Sequence, residues 1–421
     1  MSEYIKRTIE KTVLNMANTF PVVMITGPRQ VGKTTLLNMM MQKNNVKVNY
    51  VSLDDINVRA LAIEDPELFF RTYKTPLIID EFQYAPQILS YIKIIVDEKR
   101  LGNLKNSNIN CNGLFYLTGS QDFQTMSKVD ESLAGRVGIL DLYGFSNREI
   151  QNKEEEQFIP DINILENKEI LEKKDTIELY KKIIIGSYPE LYKNKKLDRN
   201  KYFETYIKTY IERDIRQLIN VQDEIKFLKF VENVAVRTGQ ELNMTDICNG
   251  IGIANSTGES WLSILTNTGL VYLLQPYSNN NVARIVKKPK IYFMDTGLAC
   301  YLAGYLDEVT LEKSAYNGAI FETYVVTEII KSYTNNGMDA RKYLYYYRDN
   351  NGKEIDLIII YNNTVYPIEI KKSANPRTES IKNFNIIKKF GLEIGSGGVI
   401  CMKEKLFPID RDNNYIPIEL I

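Results

Sequence analysis

Histidine is absent from all 421 residues of the chain. That absence removes Ser-His-Asp and Cys-His nucleophiles, His-ligated zinc and imidazole acid–base chemistry, leaving carboxylates, lysine, arginine and metal as catalytic means. Cysteine is scarce: Cys111, Cys248, Cys300 and Cys401 lie far apart with no C-x-x-C spacing, so reduced packing thiols are expected rather than a disulfide framework. Net charge is lacking too. The 53 Lys and Arg balance 53 Asp and Glu, which excludes steering by a global field and confines any nucleic-acid contact to local basic patches. No apolar run approaches the ~20 residues of a membrane span, and Met1 to Arg7 carry no signal-peptide apolar region, so a cytoplasmic protein with no membrane partner is expected. The length accommodates two to four domains.

What is present centres on Gly27-Pro28-Arg29-Gln30-Val31-Gly32-Lys33-Thr34, with Thr35 following. The stretch lies between an apolar run, Val22 to Ile25, and the helix-like Leu36 to Met40. Strand, glycine loop and helix in that order form a phosphate-binding loop. Its glycines let successive N–H groups and the helix N-terminus face a phosphate, Lys33 reaches the β/γ-phosphates, and the Thr34 hydroxyl ligates Mg²⁺. ATP and Mg²⁺ are the expected cofactors.

A second apolar run, Pro76 to Ile79, ends in Asp80-Glu81. Asp80 is expected to hold Mg²⁺ largely through water, and Glu81 to polarise the attacking water. Leu114 to Leu117 forms another strand ending in Thr118-Gly119-Ser120, where Thr118 and Ser120 are both candidates to sense the γ-phosphate. With a strand at Ile139 to Leu142 this order predicts a doubly wound α/β nucleotide domain with its ligands at the strand carboxyl ends. The phosphate loop, Ile79-Asp80-Glu81, the Thr118 strand end and Ala134-Gly135-Arg136 together resemble the ATPase domain of the AAA+ superfamily. They are most similar to the bacterial and archaeal ATPases that carry a C-terminal domain of unknown function. The resemblance implies that Arg136 completes a neighbouring subunit's site as an arginine finger, and hence that the protein is a homo-oligomer.

Residues 151–170 are charged and read as a linker, and a helical pattern follows to about Ile219. It contains Gly186-Ser187-Tyr188-Pro189 and, further on, Arg213 and Arg216, which are either a second nucleotide sensor or partners of acids on a helix face. Helices at Phe227–Val236, Met244–Asn249 and Ser256–Thr266 precede a predicted hairpin whose strands flank Asn279-Asn280-Asn281. This looks like a winged helix. Its third helix carries Glu259 and no Lys or Arg, and basic residues occur only around the wing, as Arg284, Lys287, Lys288 and Lys290. DNA and protein both remain open as its partner.

The last hundred residues hold a second cluster. An amphipathic helix carries Glu322, a strand opens on Glu354-Ile355-Asp356, and the next holds Glu369-Ile370-Lys371. Strand alternation puts Glu369 and Lys371 on one face, beside Asp356 on the neighbouring strand. The set resembles the PD-(D/E)xK nuclease superfamily, with Ile355 standing where the name-giving proline would be. The resemblance implies that Asp356, Glu369 and Glu322 bind a metal ion and that Lys371 activates water for phosphodiester hydrolysis.

The expected fold class is α/β: a P-loop AAA+ domain at 1–150, a linker and helical region at 151–220, a winged helix at 221–310 and a restriction-endonuclease-like α/β domain at 311–421. The expected function is a Mg²⁺-dependent ATPase coupled to a nuclease-like, DNA-acting domain. The alternative is a nucleotide-dependent switch or scaffold whose C-terminal domain is an inactive interaction module.

Overall fold

The computed structural model describes residues 4–43, 48–105, 110–119, 129, 131–210, 224–278 and 288–421. Ser120, Arg213, Arg216, Arg284, Lys287 and the predicted turn at 279–281 lie outside them. Helix α1 (Glu10–Thr19) leads into β1 (Val22–Thr26), α2 (Lys33–Lys43), β2 (Asn49–Ser52), α3 (Ile56–Glu64), α4 (Pro66–Thr72), β3 (Leu77–Asp80), α5 (Ile88–Lys105), β4 (Phe115–Thr118) and β5 (Val137–Asp141). The five strands form one parallel sheet in the order β2-β3-β4-β1-β5. Every residue of β1 is buried, which explains why it reads as a continuous apolar run rather than an alternating one. Val23 and Ile25 face one core, while Val22 and Met24 face a second on the other side of the sheet. Because β4 inserts between β1 and β3, the carboxyl ends of all three open on the same edge.

A short helix α6 (Asn147–Ile150), α7 (Thr176–Ile185) and α8 (Arg199–Tyr210) follow. The predicted linker is less loose than its charge suggests. Phe158, Ile159 and Leu165 are buried, and Phe158 N donates to Ser332 Oγ at 3.0 Å. Then come α9 (Glu224–Val236), α10 (Met244–Ile251), α11 (Asn255–Asn267) and the strands β6 (Val271–Leu274) and β7 (Lys290–Phe293), an antiparallel pair. Trp261 of α11 packs edge-on against Phe227 and Phe230 of α9, so the apolar face of the third helix is spent on its own bundle. Its outward positions are Ser256, Glu259, Ser260 and Ser263, with no cation.

After α12 (Thr296–Leu302), the helix α13 (Asn317–Asn335) runs through the middle of the chain's packing. Every residue from Thr323 to Asn335 is buried, polar ones included, which requires specific partners for each. Asn147 N donates to Glu328 at 2.7 Å, Asn147 Nδ2 donates to the Tyr324 hydroxyl at 2.7 Å, and Lys331 Nζ donates to the Phe145 carbonyl at 3.0 Å. These bonds tie α13 to the turn just after β5. A second sheet is built from β8 (Leu344–Arg348), β9 (Glu354–Tyr361), β10 (Thr364–Lys371), β11 (Glu393–Ile394), β12 (Gly397–Cys401), β13 (Phe407–Pro408) and β14 (Asn413–Pro417). Its order is β13-β14-β12-β10-β9-β8; β8, β9 and β10 are antiparallel and β10, β12 and β14 parallel. One apolar core joins Val23 and Leu37 to Tyr188, Phe230, Trp261, Ile329 and Ile368, crossing every boundary drawn on the sequence.

The segment ahead of α1 is held by Arg7, which is 3% exposed. Its Nε donates to Glu149 at 3.0 Å, and its terminal nitrogens donate to Val31 O at 3.1 Å and Tyr143 O at 2.7 Å. Glu149 also accepts from Thr8 N and Ser146 N, closing a capping box on α6. Replacing one member of such a pair leaves the other buried and uncompensated. We therefore expect Arg7→Met to lower the free energy of unfolding in urea by about 3 kcal/mol, and a loss under about 1 kcal/mol would contradict the buried pair.

Candidate nucleotide site and C-terminal carboxylate cluster

The turn after β1 depends on glycine. Gly27 has φ +135°, and a Cβ there would stand 2.0 Å from the Leu142 carbonyl oxygen; Gly32 has φ +91°. Together they release Lys33 and Thr34 into the first turn of α2, whose unpaired N–H groups and positive dipole end face the loop. Lys33 Nζ donates to the carbonyls of Gly27 and Pro28, at 2.9 Å each. The ammonium thus lies folded over the loop.

Asp80, at the carboxyl end of β3, gathers three hydroxyls. Thr34 donates to Oδ1 at 2.9 Å, Thr118 of β4 donates to the same oxygen, and Tyr50 of β2 donates to Oδ2 at 3.1 Å. The carboxylate is 8% exposed and Thr118 fully buried. Burial first, and then the Asp80 charge, push the Tyr50 hydroxyl up to about 12, so it stays a donor at any working pH. The residue after Asp80, Glu81, has a left-handed backbone (φ +55°), and its carboxylate accepts from Gln83 Nε2. A hydroxyl and a carboxylate side by side at the mouth of a phosphate loop suit a hydrated Mg²⁺ ion, which takes oxygen ligands and keeps several waters.

The structure thus brings Lys33, Thr34, Asp80 and Thr118 together with the loop residues Gly27 to Thr35. Arg136 is elsewhere. Val22 N donates to its carbonyl at 3.1 Å, which puts it at the amino end of β1, a strand length or ~16 Å from the loop. Its guanidinium grips Asp97 of α5 with two bonds, at 2.8 and 2.9 Å. Tyr50 was not foreseen. Its contact with Asp80 follows from the β2–β3 register, Ser52 opposite Asp80, which no local signal in the sequence specifies.

In the second sheet Ile368 pairs with Leu357, placing Glu369 across from Asp356. Asp356 Oδ2 accepts from Ile370 N at 2.9 Å and from Lys371 Nζ at 3.3 Å, and Lys371 donates to Glu369 at 2.7 Å. Glu322 has other partners besides. It accepts from Lys290 Nζ at 3.0 Å and the Tyr292 hydroxyl at 2.7 Å, and Lys290 also pairs with Glu354 at 2.6 Å. Among the described residues no three carboxylates or thiols are grouped as a metal site. Lys290 is the residue that holds Glu322. Read from the sequence as a wing cation, it is 3% exposed and supplies the positive charge that Glu322 needs. Burial lifts the Glu322 carboxyl, and Lys290 opposes that lift.

Comparison with known proteins divides the chain in three. Residues 19–151 match a family model described as an AAA domain, residues 176–308 a domain of unknown function (DUF8612), and residues 317–421 a domain of unknown function (DUF4143). Uncharacterized proteins of Mycobacterium bovis and Mycobacterium tuberculosis are each 25% identical over 401 residues, spanning 95% of this chain and 81% of their own length. Among solved structures, a Walker-type ATPase of Pyrococcus abyssi aligns at 15% identity and TM-score 0.38, covering 70% of this chain and 94% of that one. The match at 19–151, with the parallel sheet and the phosphate loop, supports an AAA+ ATPase-type domain and nucleotide binding. No helix among the described residues is long and apolar enough to cross a membrane.

Burial, and then the neighbouring Asp356, push the Glu369 carboxyl from 4.5 up to about 8, so folding favours its neutral form. That contribution is complete below about 4.5 and is lost as the pH climbs through 8. Wild type should lose stability relative to Glu369→Gln between pH 5 and pH 9 in urea titrations, and a pH-independent difference would contradict the assignment.

Proposed function

We propose that the chain is a Mg²⁺-dependent ATPase whose nucleotide state is transmitted to its C-terminal half. The observation that carries the reading is the Thr34–Asp80 hydrogen bond beside Lys33, at the start of a helix and the end of two parallel strands. Loop N–H groups and the α2 N-terminus bind the phosphates, and the Lys33 ammonium moves from the Gly27 and Pro28 carbonyls onto them. Thr34 and, through water, Asp80 would hold Mg²⁺, which would supply charge neutralisation at the phosphates. Glu81 accepts a hydrogen bond from the attacking water once Gln83 releases it, and Thr118, or Ser120 beyond it, orients that water. In this reading Arg136 leaves Asp97 to reach a neighbouring subunit's ATP, so turnover depends on a homo-oligomer.

Transmission has a short physical route. Val31 and Tyr143 share Arg7, and the next residues, Phe145 and Asn147, are bonded to Lys331, Glu328 and Tyr324 of α13. Glu322 lies two residues upstream of Tyr324 and six upstream of Glu328 on that helix, ~3 and ~9 Å along its axis. For the C-terminal half, the Asp356–Lys371–Glu369 contacts favour metal-assisted phosphodiester hydrolysis on DNA. The Lys290 pairing of Glu322 and Glu354 favours the second reading, an interaction module without turnover, driven by a switch.

We expect Lys33→Ala to abolish ATP binding in calorimetry. Glu81→Gln should retain binding while phosphate release falls about 100-fold or more, as for loss of a general base. Equal binding in wild type and Lys33→Ala would remove the ATPase reading. For the C-terminal half, single- and double-stranded DNA is incubated with Mn²⁺ or Mg²⁺, with and without ATP. Cleavage by wild type but not by Asp356→Ala supports the nuclease, and absence of cleavage while ATP still binds supports the interaction module.

A further inference from the structure

Gln30 stands in the middle of the phosphate loop with φ +62°, a left-handed backbone that glycine adopts freely and a glutamine adopts only when held. The loop therefore keeps its shape against the local preference of one of its own residues. What holds that residue comes from outside the nucleotide domain. The Tyr202 hydroxyl donates to Gln30 Oε1 at 2.8 Å across 172 positions of sequence. Tyr202 belongs to α8, within the 176–308 segment rather than the 19–151 segment.

The tyrosine is itself well fixed. It is 8% exposed, and its ring is surrounded by Tyr188, Phe203 and Tyr206 with centroids 5.7, 5.3 and 6.2 Å away. The same segment backs the loop elsewhere, since Pro28 and Val31 share a small cavity wall with Ser187, Tyr188 and Leu270. A rigid aromatic cluster thus presents one hydroxyl to the one strained, non-glycine position of the loop.

We infer that Tyr202 is a positioning residue for the nucleotide: its hydroxyl holds Gln30 left-handed, so that the N–H groups of Val31, Gly32 and Lys33 converge on the phosphates. This rests on the ATPase reading above. The coupling is reciprocal, because a loop ordered by phosphate strengthens the Gln30–Tyr202 bond and so reports nucleotide to the 176–308 segment.

The test uses the full chain and Mg–ATP, followed by calorimetry and steady-state phosphate release. Tyr202→Phe keeps the ring and deletes the hydroxyl. The loss of one hydrogen bond predicts a Kd and KM about fivefold higher, with kcat unchanged within about twofold. Gln30→Ala removes the acceptor, so Tyr202→Phe should cost no further affinity in that background, a non-additivity that generalised loosening would not give. Wild-type affinity in Tyr202→Phe overturns the inference, and so does an undiminished Tyr202→Phe loss in the Gln30→Ala background. Absence of ATP binding by wild type removes the ATPase reading itself, a separate result.

Discussion

The Asp80 carboxylate sets the terms for the nucleotide end of the molecule. A nearly buried carboxylate needs donors, and it draws them from β2, β4 and the first turn of α2 at once. The strand order serves that requirement: with β2 and β4 on either side of β3, Tyr50 reaches one oxygen of Asp80 while Thr118 and Thr34 reach the other. The glycine turn after β1 brings the start of α2 close enough for Thr34 to arrive. Loop, sheet order and acid are thus fitted to one another.

A different constraint governs the other end. Around Glu322 the molecule meets the cost of burying carboxylates by burying an amine among them, and the donor, Lys290, comes from a strand of the preceding segment. Lys371 performs the same service for Asp356 and Glu369 from within their own sheet. Each lysine therefore bridges two acids, Lys290 joining Glu322 to Glu354 and Lys371 joining Asp356 to Glu369. The junction between the 176–308 and 317–421 segments is electrostatic as well as apolar, with Lys290 crossing it.

Much of this was legible in the residues. Local patterns located β1, β3 and β4, each a short apolar run followed by glycine or acid, the glycine loop itself, and the strand pair holding Asp356 and Glu369, apolar runs with acids at their ends. Helix ends shifted by a residue or a few: the helix expected at Phe227–Val236 starts at Glu224, and the one expected to end at Asn249 runs on to Ile251. What could not be read were the partners supplied by register and tertiary packing. Tyr50 meets Asp80 through the alignment of two strands, Lys290 meets Glu322 through the docking of β7 on α13, and Arg7 meets Val31 after the chain has closed. The charged stretch at 151–170 is hard to read for another reason: its buried apolar residues, Phe158, Ile159 and Leu165, hold its path, and one of its acids, Glu155, is buried too, accepting from Asn335 of α13.

The continuous core that ignores the three matched segments has an evolutionary corollary. A gene fragment encoding any one of them would produce a polypeptide with the cut face of a shared interior laid open, Tyr333 and Ser332 without Phe158, for example. Recombination could then exchange the ATP-handling part only together with the helix that threads it to the rest. The three segments share one interior, so a change of partner in one would have to be matched across the seam by the others.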